Sequence, residues 1–162
     1  MATVTTALQA ATGNSQRGRN AYMVENTVNF ADHTVDPSAG DVVQAITVPA
    51  GSLILAAGLE VITALTIANT GSDETIDLGT DTEADKYVDG FDADAASAGD
   101  YAAADATAAG PEVHGTANTI DMTFAGTGDG ISAGKIRVWA IMMDVSTMGD
   151  TTADEVDRDT LA

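Results

Sequence analysis

Cysteine is absent from this chain of 162 residues, cations number six against 25 carboxylates, aromatic residues make up 4% and there are three prolines. Without thiols there is no disulfide framework, no zinc-thiolate site and no cysteine nucleophile. The cations Arg17, Arg19, Lys86, Lys135, Arg137 and Arg158 are scattered among acids, and of these Arg17 and Arg19 alone stand close together. A protein that grips nucleic acid needs clustered Lys and Arg to displace phosphate counterions, so no nucleic-acid partner is expected. No run approaches the roughly 18 consecutive apolar residues that a membrane helix requires. The amino-terminal MATVTTALQAATGNSQRGRN also lacks the basic start and apolar stretch of an export signal. A soluble chain without a membrane partner is expected. Scarce aromatics argue against a glycosidase, whose paired carboxylates work beside aromatic platforms.

What is present is a 44% hydrophobic content with a formal charge of -19. That content suffices for one continuous core and one domain. The acid excess is mostly Asp set among Ala, Thr and Gly, a composition suited to a surface kept hydrated in salty water, where screening weakens self-repulsion.

Residues 1–20 carry little apolar periodicity and read as an arm, because they bury too little surface to offset their own ordering entropy. Val24, Val28 and Phe30 then show strand spacing before the turn cluster Asp36–Asp41. VVQAITV alternates, placing Val42, Gln44, Ile46 and Val48 on one side and Val43, Ala45 and Thr47 on the other. LILAAGLEVITALTIA is apolar on both faces and β-branched, which predicts a long strand buried on two sides with a bulge or bend at Gly58. TIDLG, KYVDG and ANTIDMTFAG add short strands, and residues 93–110 read as a loop or a weak helix. In GKIRVWAIMMDVS, Ile136, Val138, Ala140 and Met142 share one face while Arg137, Trp139, Ile141 and Met143 share the other. Roughly seven or eight strands without an amphipathic helix predict an all-β fold: an antiparallel β-sandwich or barrel, jelly-roll-like, with an extended N-terminal arm. The expected organisation is an arm over 1–20, a sandwich over 21–147 and an acidic tail over 148–162.

Thr75 to Asp100 reads TIDLGTDTEADKYVDGFDADAASAGD, eight acids around the single cation Lys86. Calcium seeks several oxygen ligands from alternating carboxylates and carbonyls. An EF-hand register beginning at Asp81 fails at its turn position, where Lys86 replaces glycine, and neither flank is a helix. If a cation binds, the tight trio Asp81, Glu83 and Asp85 is expected to hold calcium; a solvated acidic edge is the simpler reading. His33 and His114 lie in different polar segments and read as turn residues. GTGDG reads as a β-turn rather than a phosphate cradle, because no helix follows it. Trp139, in the most apolar strand, is expected in the core. Lys135 and Arg137 are placed to pair with carboxylates of a neighbouring subunit or to guard an exposed edge. No catalytic constellation emerges, and no enzyme is expected.

Three blocks, GDVVQAITVPAGSLILAAGLEVITA (40–64), TIDLGTDTEADKYVDGFDADAASAGDY (75–101) and TIDMTFAGTGDGISAGKIRVWAIMMDVS (119–146), cover about two-thirds of the chain. They resemble small virion structural proteins of tailed bacteriophages, in particular head-decoration or cement proteins. The resemblance implies a β-rich module on the outer surface of the capsid, bound to the major capsid protein as a homotrimer or homodimer. Arg17 and Arg19 are then the expected contacts of the arm with acidic capsid groups. A tail or fibre-associated module and a calcium-dependent binding module remain the alternative functions.

Overall fold

A computed structural model of the chain describes residues 20–32, 36–68, 73–103, 111–127 and 130–145. The proposed arm with Arg17 and Arg19, the acidic tail and His33 lie outside these residues. Among the described residues there are nine strands: β1 (Tyr22–Asn29), β2 (Val42–Val48), β3 (Ser52–Ile67), β4 (Thr75–Gly79), β5 (Val88–Asp92), β6 (Tyr101–Ala103), β7 (Glu112–His114), β8 (Asn118–Ala125) and β9 (Ile131–Asp144). A short 3-10 turn, Phe30–Asp32, follows β1. No α-helix occurs among them, and so none is long and apolar enough to cross a membrane.

Two antiparallel sheets form. The larger runs β1-β9-β3-β6, with β7 pairing the same strand β3 further along; the smaller runs β2-β8-β4-β5. Apart from β4–β5 and β6–β7, each strand is followed in sequence by one in the opposite sheet. This is the all-β sandwich that the alternation of apolar and polar residues predicts. Its core is the space between the two sheets, where Ile54, Leu59, Val61, Ile136, Val138 and Met142 of the larger sheet face Ile46, Ile76, Leu78, Ile120, Met122 and Phe124 of the smaller. Phe30 closes one end with its ring edge-on to Phe124, the centroids 6.0 Å apart at 87°, a favourable arrangement of ring quadrupoles.

Bulges account for the departures from simple alternation. In β2 the register slips between Gln44 and Ile46. Ala45 and Ile46 are therefore both buried, and Val43 before the slip shares the core side with Ile46 and Val48 after it. The even-numbered face expected for the whole strand holds only beyond the slip. In β3 the slip lies between Ile54 and Ala56, not at Gly58, which pairs in regular register with Trp139. Core positions change there from Ser52 and Ile54 to Ala57, Leu59 and Val61. The two-sided apolarity of this strand thus comes from a change of face rather than from burial on both sides.

Further along, β3 inserts Ala64 and Leu65 between the partners of Lys135 and Ala133. Gly134 sits opposite them with φ +114, and a Cβ there would lie 2.7 Å from the Ala64 carbonyl oxygen and 2.8 Å from the Leu65 side chain. Glycine is required on both counts. Residues 93–110 also differ from expectation, since Tyr101–Ala103 forms an edge strand on β3.

Phe124→Ala is expected to lower the unfolding free energy by about 3–5 kcal/mol through lost burial and a residual cavity. Val42→Ser, at a position 53% exposed, should change it by no more than about 0.5 kcal/mol. Chemical denaturation followed by circular dichroism checks both.

Candidate functional site

The acidic stretch divides between strand and loop. Asp77 stands in β4, and its Oδ1 accepts a hydrogen bond from the Gly90 amide at 2.7 Å. Asp92 Oδ1 accepts from the amides of Asp94 (3.0 Å) and Ala95 (3.3 Å), and Asp100 Oδ2 accepts from that of Ser97 at 2.7 Å. Asp94 accepts from the Glu74 amide at 3.2 Å. These carboxylates satisfy loop amides and, at the irregular pairing of β4 with β5, that of Gly90, the ordinary structural use of Asp beside turns.

Asp81, Glu83 and Asp85 lie in the loop between β4 and β5, all exposed. Asp81 Oδ1 accepts from the Asn118 amide group at 2.6 Å, and Glu83 is 3.4 Å from the Lys86 ammonium. Among the described residues no group of three or more His, Asp or Glu side chains is placed to hold a metal ion. A depression of ≈ 320 Å³ beside this loop is lined by Gln44, Asp81, Ala117, Asn118 and Thr119. Its lining offers amide, hydroxyl and carboxylate groups for hydrogen bonding.

A second polar group lies at the junction of this loop with β7. Lys86, its side chain largely covered, forms an ion pair with Glu112, and His114 Nε2 stands 3.7 Å from the same carboxylate. His114 is 7% exposed and belongs to a strand, not to the solvent-facing turn expected from PEVHGT. Its partner on β3 is Ser52, and the single apolar neighbour Val113 gave the sequence no alternation to reveal it. Beside them Tyr87 is buried, and its hydroxyl has no hydrogen-bond partner among the described residues. Burial, reinforced by the Glu112 and Glu83 carboxylates, pushes that hydroxyl well above its ordinary value of 10.0. The hydrogen bond to Glu112 raises Lys86 above 10.5 despite its partial desolvation.

The outward face of the larger sheet is the third feature. Arg137 on β9 lies between Glu25 of β1 and Glu60 of β3, its register neighbourhood on either side. One guanidinium nitrogen is hydrogen-bonded to Glu60 and the other is 3.7 Å from Glu25. Arg137 is thus paired within its own chain, whereas the sequence left it to a neighbour or an edge. Trp139 is on this face too and half-buried, not in the core. Its ring extends over Gly58, where a Cβ would come within 2.8 Å of Trp139 Cζ2 and 2.6 Å of the Ala102 carbonyl oxygen. The Tyr101 ring lies parallel to it, at 1° with centroids 6.3 Å apart.

No sequence-family model matches the chain, and no curated protein sequence does. Comparison of the folds gives a different result. A chain in the capsid asymmetric unit of cyanophage Pam1 superimposes with a TM-score of 0.61 at 20% identity, over 85% of this chain and 94% of that one. Its fold is that of a phage capsid chain. A chain in the capsid of Ralstonia phage GP4 matches with a TM-score of 0.56 at 16% identity, over 79% of this chain and 86% of that one. One in the acidic stable capsid structure of Helicobacter pylori bacteriophage KHP30 matches with a TM-score of 0.53 at 13% identity, over 78% and 89%.

Tyr87 and Lys86 together set an alkaline limit. The unfolded chain loses their protons at lower pH than the folded one, so their contribution to stability is complete below about pH 10 and is lost as pH rises through their raised folded values. Melting temperature is therefore expected to fall above about pH 10. Tyr87→Phe should make that fall shallower without destabilising the protein at pH 7, since it removes a buried hydroxyl that has no partner. Thermal melts across pH check this. Gly58→Ala should displace the indole and cost about 1–3 kcal/mol. Because Trp139 is the chain's one tryptophan, a change in its emission reports the displacement directly.

Proposed function

We propose that this chain is a structural protein of a phage virion which binds the outside of the capsid lattice as a decoration or cement protein. Its partner is the major capsid protein, it acts as a homo-oligomer, and it is not an enzyme. The observation that carries the reading is the near end-to-end match with the capsid chains, 94%, 89% and 86% of whose lengths are covered. A fold that accounts for most of a separate capsid chain supports the reading of a small shell component. The winding supports the jelly-roll description, since nearly every strand crosses to the opposite sheet and all edges but those at the rims are paired.

Other observations agree with a binding role. Asp92, Asp94 and Asp100, on the way from β5 to β6, hold nearby backbone amides. An adhesive module requires a rigid frame and a surface, and function on such a fold resides in the surface. The polar arm over residues 1–20, with Arg17 and Arg19, supplies cations for acidic groups of the shell.

Quantitative mass spectrometry of purified particles tests the assignment. A copy number in fixed, near-stoichiometric proportion to the major shell protein is expected; a few copies per particle would indicate a tail component. Deletion of residues 1–20 is expected to weaken attachment to depleted capsids by roughly tenfold, about 1.4 kcal/mol, with the melting curve of the isolated protein unchanged. Undiminished attachment would refute the role given to the arm.

A further inference from the structure

We propose that the outward face of the larger sheet pairs with the same face of a second copy, forming a two-fold dimer. This deepens the homo-oligomer part of the preceding reading and is independent of its capsid part. The face carries an apolar patch in a chain with few apolar residues to spare. Met23, Val113 and Tyr101 are 56%, 57% and 58% exposed, and Trp139, Ile141 and Met143 lie half-buried between them. The registers Met23↔Ile141, Gly58↔Trp139, Leu53↔Met143 and Leu53↔Val113 place these side chains on one side of the sheet. A contiguous apolar patch of this kind on a soluble protein marks a contact surface.

Charge identifies the occupant. The carboxylates at outward positions of this sheet are Glu25 and Glu60, and the cations are Lys135 and Arg137, so the face is electrically balanced on a chain of net charge -19. Lys86 is the remaining described cation, and the acidic loops lie elsewhere, around β4, β5 and the approach to β6. Arg137 is already paired with Glu25 and Glu60, so a partner need bring no countercharge. Two strongly acidic molecules can approach closely only through faces without net charge, and the same face on a second copy meets that condition. A two-fold axis through the apolar patch makes the contact self-complementary, with the charged row at the rim.

The dimensions are adequate. Strands β1, β9 and β3 of 8, 14 and 16 residues, with three residues each in β6 and β7, at about 4.8 Å between strands and about 3.3 Å per residue outline roughly 700 Å², near one partner's share of a standard interface.

Sedimentation equilibrium of the full chain, without any capsid, is the test. Twice the 16.4 kDa chain mass is expected at micromolar to submillimolar concentration. The association should strengthen as NaCl rises from about 0.05 M to about 1 M, because salt screens repulsion between the acidic bodies and leaves the apolar contact intact. Emission from Trp139 should shift to the blue as dimer forms. Met23→Glu and Val113→Glu should each weaken association at least about tenfold, equivalent to about 1.4 kcal/mol, with melting curves unchanged at concentrations low enough for all to be monomeric. Val42→Glu, an exposed apolar position on the other sheet, should weaken it by no more than a small factor. A monomer at every concentration and salt, a trimer, equal loss with Val42→Glu, or retained dimer in both face variants would each overturn the proposal. So would a monomer whose Met23→Glu variant loses capsid binding, since the face would then belong to the shell partner. Failure to find the protein on particles would refute the preceding reading and leave this one standing.

Discussion

The pairing of β3 with β9 is the constraint on which the other elements depend. These strands, 16 and 14 residues long, are paired from Ser52↔Asp144 to Ile67↔Ile131. They form the middle of the larger sheet, so β1 on one side and β6 and β7 on the other have no partner until they meet. Their inward residues supply that sheet's share of the core, and their outward residues define the apolar face. The two strands are far apart in sequence, so the loop entropy of closing them is spent before most of the sandwich can form. The bulges near Leu55 and Ala64 strengthen the local twist, which lets two such long strands lie over a compact second sheet.

Acid distribution follows from the same frame. Segments that cross between sheets leave amides outside any ladder, and Asp41, Asp92 and Asp100 accept hydrogen bonds from such amides within their own turns. Short carboxylates suit this work because they reach a backbone donor two or three residues away without a long side chain to order. Part of the Asp content is therefore explained by turn formation. The ion pair of Lys86 with Glu112 is different. It joins the β4–β5 loop to β7, linking the smaller sheet to the larger, and removing Glu112 would leave the largely covered Lys86 ammonium with Glu83 as its remaining carboxylate.

The sandwich was legible because its strongest strands, β8 and β9, alternate cleanly and its turns are marked by Gly, Pro and Asp. The faces of β2 and β3 were not, since a single inserted residue reverses every later side chain and Ala45 and Leu55 carry no local sign of being inserted. Trp139 shows a related difficulty. Its strand position correctly opposed it to Val138 and Ala140, yet apolarity alone assigned it to the core; the outward side of this sheet is itself apolar, and only Gly58, far away in sequence, provides the space for the indole. His114 was hidden because β7 has three residues, too few to establish a period. Asp81, Glu83 and Asp85 are exposed in a loop, and sequence spacing could not foresee that Asn118 and Lys86 would engage two of them.

Burial and charge divide the molecule's surface by sheet. Around the smaller sheet the loops are acidic and hydrated, and a surface of that kind resists close approach by any similarly charged body. Outward on the larger sheet, the Glu25–Arg137–Glu60 row satisfies its own charges, and Gly58 allows Trp139 to lie flat against the strands with Tyr101 beside it. A flat aromatic pair and a neutralised ion row lower the desolvation cost of contact, because neither leaves an uncompensated charge when water departs. High net charge and an exposed apolar patch are therefore compatible in this chain, since the acidic loops and that patch are carried by different parts of the surface.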